Sequence, residues 1–196
     1  MPLITALPDN SDPGVQDLIV CVHDPLGTPV AMTIKASTLF GFIKNRLKQT
    51  GRVTANRSTS STTLAAIPDL DAFTLVANRN YAFRAVIFFT TNALTVGMHF
   101  GIGFSGTTTT LRVGHINPVT APTAGGSALA HGVATAVDTK LLATTDGPGT
   151  GGAMTVIEGL IEVGASGGTF AFQFASETAT STTVVRGSYA FVEEID

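Results

Sequence analysis

The chain has 196 residues, of which 44% are hydrophobic and only 13% charged, whereas soluble domains carry about 25% charged residues. Such an apolar composition excludes an intrinsically disordered chain, and no run of 18 apolar residues predicts a transmembrane helix. The net charge of −3 and the single cysteine argue against a basic nucleic-acid-binding domain and exclude an intrachain disulfide.

The N-terminal segment predicts an extended arm followed by a hairpin. Residues 1–16 contain three prolines between polar spacers, and they have neither the basic segment nor the apolar segment of a secretion signal. We therefore expect synthesis in a cytosol. Asp17–Val22 and Val30–Lys35 are apolar runs of β-type around a turn-rich segment, so they are predicted to pair as a hairpin.

A short helix is predicted at about residues 38–49. Leu39, Ile43 and Leu47 recur there at the spacing of one helix face. The polar, non-periodic residues 52–63 that follow are typical of a linker or exposed loop. These features predict an arm and small attachment module over residues 1–60 and a β domain over residues 64–196.

The β domain is predicted from closely spaced strand patterns with turn signals between them. This spacing favours an antiparallel β-sandwich, of jelly-roll kind. Residues 133–142 form a weaker pattern, compatible with a strand or a helix. The clearest early strands are Thr74–Val76, Tyr81–Thr90, Leu94–Phe104 and Thr110–Ile116.

The C-terminal third, residues 154–195, alternates most clearly between apolar and small or polar residues. Phe170, Phe172 and Phe174 fall on one face of a predicted strand, and burial of each phenylalanine stabilises the fold by about 1.5–3 kcal/mol. The glycine-rich residues 165–168 predict a hairpin turn before this strand. The last strand is predicted to carry Val185, Gly187, Tyr189 and Phe191 on one face.

Two glycine motifs resemble catalytic signatures. Gly101–Gly106 matches G-x-G-x-x-G, but the four threonines that follow favour a strand rather than the helix that a dinucleotide site needs. Gly164–Gly168 matches G-x-S-x-G, yet no histidine follows Ser166 to complete a nucleophile elbow. Both motifs are therefore interpreted as glycine turns.

The titratable residues form no recognisable catalytic or metal-binding set. The four histidines stand singly, which disfavours a metal site, although one could form, for instance, where copies of one histidine converge on an oligomer axis. Asp69 and Asp71 lack the rest of a calcium-binding loop. We expect no enzyme activity, no catalytic or metal-binding residue and no cofactor. The histidines are His23, His99, His115 and His131.

Basic residues cluster in one part of this acidic protein. Six of the eleven Lys and Arg lie between Lys35 and Arg57, and no acidic residue occurs from Pro25 to Pro68. Such a segment could dock on an acidic protein surface, contact nucleic-acid phosphates, or form a solvated helix face. The pI of about 5.7 argues against nucleic acid, as do the core-like positions of Phe40 and Phe42, the aromatic residues near the cluster. The candidate docking residues are Lys44, Arg46, Lys48, Arg52 and Arg57.

Two groups of segments resemble virion proteins of tailed bacteriophages. The first resembles a short module near the N-termini of fibre and head-fibre proteins. It comprises Asp17–Pro25, Gly27–Pro29, Met32–Lys35 and Leu39. The second is similar to the β-sandwich of phage virion proteins, which is often a trimeric, TNF-like jelly roll. It comprises Asn80–Arg84, Ile157–Ile161, Gly168–Ala175, Thr183–Val185 and Arg186–Tyr189.

The resemblance implies a structural protein on the outer surface of a virion, made in the host cytoplasm and forming a homotrimer. The absence of a shaft or repeats from the sequence favours a capsid decoration (cement) protein or head fibre, attached through its N-terminal region. The expected partner is the major capsid protein or another virion protein, with no membrane. The alternative is a tail fibre or receptor-binding module that recognises host glycan or protein through loops 117–131 and 143–153. Those loops contain no aromatic residue.

Overall fold

The computed structural model describes residues 18–22, 31–35, 48–120, 127–141 and 147–195. Nearly all regular structure in these ranges is antiparallel β-strand, and the helix among them is one 3-10 turn, Gly149–Gly151. The chain divides into two compact units, Met1–Leu47 and Lys48–Asp196.

The first unit contains a two-stranded antiparallel hairpin. Strands β1 (Leu18–Val22) and β2 (Ala31–Lys35) pair so that Leu18 lies opposite Lys35 and Val22 opposite Ala31. The predicted hairpin is thereby confirmed. The predicted arm, and the predicted helix up to residue 47, lie outside the described residues. At the predicted end of that helix, Gln49 begins a strand instead.

The second unit is built on an eight-stranded antiparallel sheet, the large sheet. Its strands are β3 (Gln49–Arg52), β4 (Arg57–Thr59), β7 (Asn80–Thr91), β9 (Thr108–Thr120), β10 (Ser127–Ala134), β11 (Ala153–Val163), β13 (Thr182–Val184) and β14 (Tyr189–Glu194). The strand order is β10-β9-β11-β7-β13-β4, and β14 also pairs with β7 and with β3. The long strands β9, β11 and β7 therefore lie side by side in the middle of the sheet.

A four-stranded sheet, the small sheet, completes the sandwich. Its central strand β12 (Gly168–Ser176) pairs on one side with β8 and on the other with β5 and β6. All of these pairings are antiparallel. The three partner strands are β5 (Ala65–Ala66), β6 (Phe73–Leu75) and β8 (Met98–Phe104).

Aromatic side chains fill the space between the two sheets. Phe83 of the large sheet packs against Phe170 and Phe172 of the small sheet, with ring centroids 4.9 and 6.0 Å apart. Phe170, Phe172 and Phe174 are at most 3% exposed, as their alternation predicts. The predicted antiparallel β-sandwich is confirmed.

The predicted linker over residues 52–63 is wrong in part. Arg57–Thr59 forms strand β4, which pairs with β13, and Arg52 closes strand β3, which pairs with β14. Both strands use backbone hydrogen bonds, while their side chains are partly or fully exposed. Such strands lack the apolar alternation by which a buried strand is recognised. The attachment role predicted for residues 1–60 stays a prediction.

The glycine-rich turn at residues 165–168 is not a hairpin turn, which corrects the prediction. It joins β11 of the large sheet to β12 of the small sheet, and these two strands do not pair with each other. The turn is held by Thr107, whose backbone N–H donates to the Ser166 carbonyl at 3.0 Å and whose carbonyl accepts from Gly164 N–H at 2.7 Å. The chain thus crosses between sheets, which places the β12 phenylalanines over the core.

The last strand, predicted as a single strand, is divided into two strands in the structure. β13 ends at Val184 and β14 starts at Tyr189, and Gly187 adopts a φ of +96° between them. In β14 the buried residues are Ala190 and Val192, whereas Tyr189 is 46% exposed. Tyr189 therefore lies on the outer face of the large sheet rather than in the core.

Candidate assembly surface on the large sheet

The outer face of the large sheet carries a row of apolar residues across four strands. In register, Ile116 of β9 lies opposite Val156 of β11, Val156 opposite Val86 of β7, and Val86 opposite Tyr189 of β14. Cross-strand partners project to the same side of a sheet. Ile116 is 42% exposed, so both ends of the row present apolar surface to solvent.

A second apolar pair lies beside this row. Met154 of β11 is opposite Phe88 of β7, and the two side chains are 43% and 39% exposed. With Val185 they line an open groove of about 560 Å³. We refer to the six residues Val86, Phe88, Ile116, Met154, Val156 and Tyr189 as the apolar band.

Large apolar side chains rarely cluster on the surface of a monomeric protein. A contiguous patch of this kind marks a site of interaction with another protein or a membrane, and aromatic residues and methionine are enriched at protein interfaces. The sequence did not predict the apolar band. Two of its residues, Val86 and Phe88, lie within the wholly apolar run Ala85–Phe89. Core-facing and outward-facing residues in this run are both apolar, so the sequence does not distinguish the two faces.

Charged residues with alternating sign adjoin the apolar band. Arg84 of β7 lies opposite Glu158 of β11, with Nε 3.8 Å from Oε2. Next to this pair, Arg112 of β9 and Glu193 of β14 occupy the two ends of one row across the sheet. We refer to these four residues as the charged band. Their sign alternation suits a partner surface of mixed charge.

The candidate docking residues lie in different environments. Lys48 Nζ is 3.9 Å from Glu193 Oε2 and 3.4 Å from the centre of the Phe191 ring. Arg52 is exposed and pairs in register with Tyr189, whereas Arg57 forms an ion pair with Asp69 of the same chain. Their role in docking stays a prediction, and Lys44 and Arg46 lie outside the described residues.

Arg57 belongs to a cluster around the Asp69 carboxylate. Oδ2 of Asp69 accepts hydrogen bonds from the Thr54 backbone N–H at 3.0 Å, the Thr54 hydroxyl at 2.9 Å and Arg57 Nη2 at 3.1 Å. These donors, the Thr54 N–H foremost, hold the pKa of Asp69 below its usual value. The cluster fastens the segment between β3 and β4 to the loop that carries Asp69.

The G-x-G-x-x-G motif is a strand end followed by a turn, as predicted. Gly101 and Gly103 lie in β8, and β9 begins at Thr108 with no helix between them. A Cβ on Gly101 would lie 2.7 Å from Leu64 Cδ1, and a Cβ on Gly103 would lie 2.5 Å from Gln173 Nε2. The glycines make room for side chains that cover the small sheet.

His99 also lies on the small sheet, opposite Ala175 of β12. Burial of the ring, and then the nearby Lys140 charge, lower the pKa of His99 below its usual value of 6.5. Across the ranges that the structure describes, no three His, Cys, Asp or Glu side chains gather as a metal site would require. In the same ranges, no helix is long and apolar enough to cross a membrane.

Comparison with known proteins gives no family for the chain, since no family model and no curated protein matches the sequence. Two solved structures are weakly similar: infectious bursal disease virus of the Gx strain, and the VP2 subviral particle of infectious bursal disease virus. The first is 12% identical with a TM-score of 0.24, covering 96% of this chain and 48% of that chain. The second is 10% identical with a TM-score of 0.20, covering 97% and 46%.

The chain spans less than half the length of these viral structures. At such TM-scores the likeness supports no conclusion about fold or function.

Proposed function

We propose that the protein is a non-enzymatic structural component of a virion that assembles as a homotrimer. The apolar band on the outer face of the large sheet is the observation that carries this proposal. Four of its side chains are 39–46% exposed, and burial against another protein surface would remove that apolar area from water. An assembly protein needs such a surface.

The virion location rests on the resemblance of the sequence to bacteriophage proteins. The residues that resemble the fibre and head-fibre module include all of β1 and Met32–Lys35 of β2. The residues that resemble phage virion sandwiches fall on β7, β11, β12 and β13 and on the connection into β14. These resemblances support a capsid decoration (cement) protein or head fibre on the outer surface of the particle.

In this proposal the N-terminal region attaches the protein to the major capsid protein or another virion protein. The β-sandwich then mediates trimerisation and projects from the surface. The basic residues between Lys35 and Arg57, in a segment without acidic residues, suit an acidic partner surface.

Co-sedimentation with capsids that lack the protein tests the proposal. Purified full-length protein should bind such capsids saturably, at a fixed ratio to the capsid protein, and its mass in solution should be that of a trimer. Bovine serum albumin at the same concentration controls for trapping in the pellet. An oligomer that ignores capsids but binds host cells would overturn decoration in favour of receptor recognition.

A further inference from the structure

We propose that copies of this chain assemble around an axis parallel to the strands of the large sheet, with Arg112 of one copy paired to Glu193 of the next. This inference rests on the proposed self-assembly and names the surface that mediates it. The β9 side of one outer face meets the β14 side of the neighbouring copy. The occupant of the apolar band is then a second copy of the chain.

The charge complementarity comes from one row of the sheet. Arg112, Leu160, Ala82 and Glu193 follow one another in register across β9, β11, β7 and β14. The row has opposite charges at its two ends and apolar residues between them. Three strand spacings separate the ends by about 14 Å, which is too far for an ion pair within one copy.

Rotation about an axis parallel to the strands keeps every row at its own height. Arg112 of one copy therefore reaches the level of Glu193 of the next. The same rotation brings Ile116 level with Tyr189, because these two residues end the apolar row.

Both charged groups are available for this contact. Arg112 is exposed and forms no ion pair with any residue that the structure describes. Glu193 lies 3.9 Å from Lys48, and the two side chains are 44% and 47% exposed. An exposed pair of this kind is weak, so Glu193 can form a second pair at an interface. The apolar band beside it would supply the buried part of the contact.

Charge exchange tests this pairing in the full-length protein. Arg112→Glu and Glu193→Arg should each place like charges opposite one another and raise the dissociation constant of the oligomer at least about tenfold. The double variant restores opposite charges and should recover the wild-type mass. Lys140→Glu, an exposed charge outside the large sheet, is the matched control and should leave the mass unchanged.

Analytical ultracentrifugation measures these masses, and circular dichroism verifies that each variant is folded. Single variants with the wild-type mass, or a double variant that stays dissociated, would overturn the pairing. So would a wild-type protein that is monomeric at all concentrations tested. The proposed virion role is tested separately: a protein that associates as expected but does not bind capsids would overturn that role and leave the pairing intact.

Cysteine cross-linking supplies a second test. The variant with both Arg112→Cys and Glu193→Cys should form covalent oligomers on mild oxidation, because residues about 14 Å apart cannot form a disulfide within one copy. Each single cysteine variant controls for the native Cys21. Oxidised double variant that runs as a monomer in denaturing gels would also overturn the pairing.

Discussion

At the residue scale, a single glycine, Gly159, leaves the space that the Phe83 ring occupies in the core. Gly159 of β11 faces the core, and a Cβ there would overlap the Arg112 carbonyl oxygen and lie 2.6 Å from the Phe83 ring. Phe83 thus occupies the space that a side chain at Gly159 would need. The requirement is one of space, and a sequence pattern cannot reveal it because glycine also fits the alternation of a strand.

Gly159→Ala is therefore expected to destabilise the fold. Overpacking of a well-packed core costs about 1–3 kcal/mol, which urea denaturation would detect as a lower free energy of unfolding. Gly151→Ala is the matched control, because a Cβ at Gly151 meets no atom within 4 Å. Equal stability of the two variants would contradict this account of Gly159.

His99 makes stability depend on pH. Burial lowers its pKa in the folded state below 6.5, so the unfolded chain binds the proton more readily. The stability that neutral His99 contributes is therefore fully present above pH 6.5, the pKa of histidine in the unfolded chain. It is lost as the pH falls from 6.5 towards the lower pKa of the folded state.

The variant His99→Gln should remove this part of the pH dependence. Its free energy of unfolding should fall less than that of the wild type between about pH 7 and 5, as measured by urea titration at each pH. Lys140→Gln should retain most of the dependence, because burial of the ring is the larger cause and Lys140 the second. Parallel pH profiles for the wild type and His99→Gln would show that His99 is not responsible.

Strand β12 is the element on which the sandwich depends. It is the centre of the small sheet, and its phenylalanines meet the large sheet at Phe83. The two-residue period of this strand was readable from the sequence, because phenylalanine occupies three successive inward positions, 170, 172 and 174. Its sheet partners were not readable, since β12 pairs with β8, β5 and β6 rather than with the adjacent β11.

Phe172→Ala is expected to destabilise the protein by about 3–5 kcal/mol, because a fully buried ring leaves a cavity. Phe88→Ala removes a ring of the same kind that is 39% exposed on the outer face. This matched variant should stay close to wild type in the stability of the dissociated protein. Thermal unfolding at a concentration below the dissociation constant separates the two effects, and a large loss in Phe88→Ala there would place its ring in the core.

For the whole molecule, the proposed function assigns attachment to the basic segment between Lys35 and Arg57. Reversing the charge of Lys44, Arg46 and Lys48 together should weaken attachment to capsids, because an acidic partner surface would then repel the segment. Capsid occupancy after co-sedimentation at physiological salt is the measurement. Charge reversal of Lys140 and Arg186, two exposed cations outside this segment and outside both bands, controls for a general loss of positive charge, and unchanged occupancy of the first variant would remove the docking hypothesis.

The sequence by itself determined the β class, the hairpin β1–β2 and the inward face of β12, because these follow from local alternation and turn residues. Tertiary structure alone decided that residues 165–168 cross between sheets, that β3 and β4 join the large sheet, and that Tyr189 faces outward. It also assembled the apolar band from four strands that are distant in sequence. Strand pairing depends on which surfaces can be buried together, and that property belongs to the folded molecule rather than to any single segment.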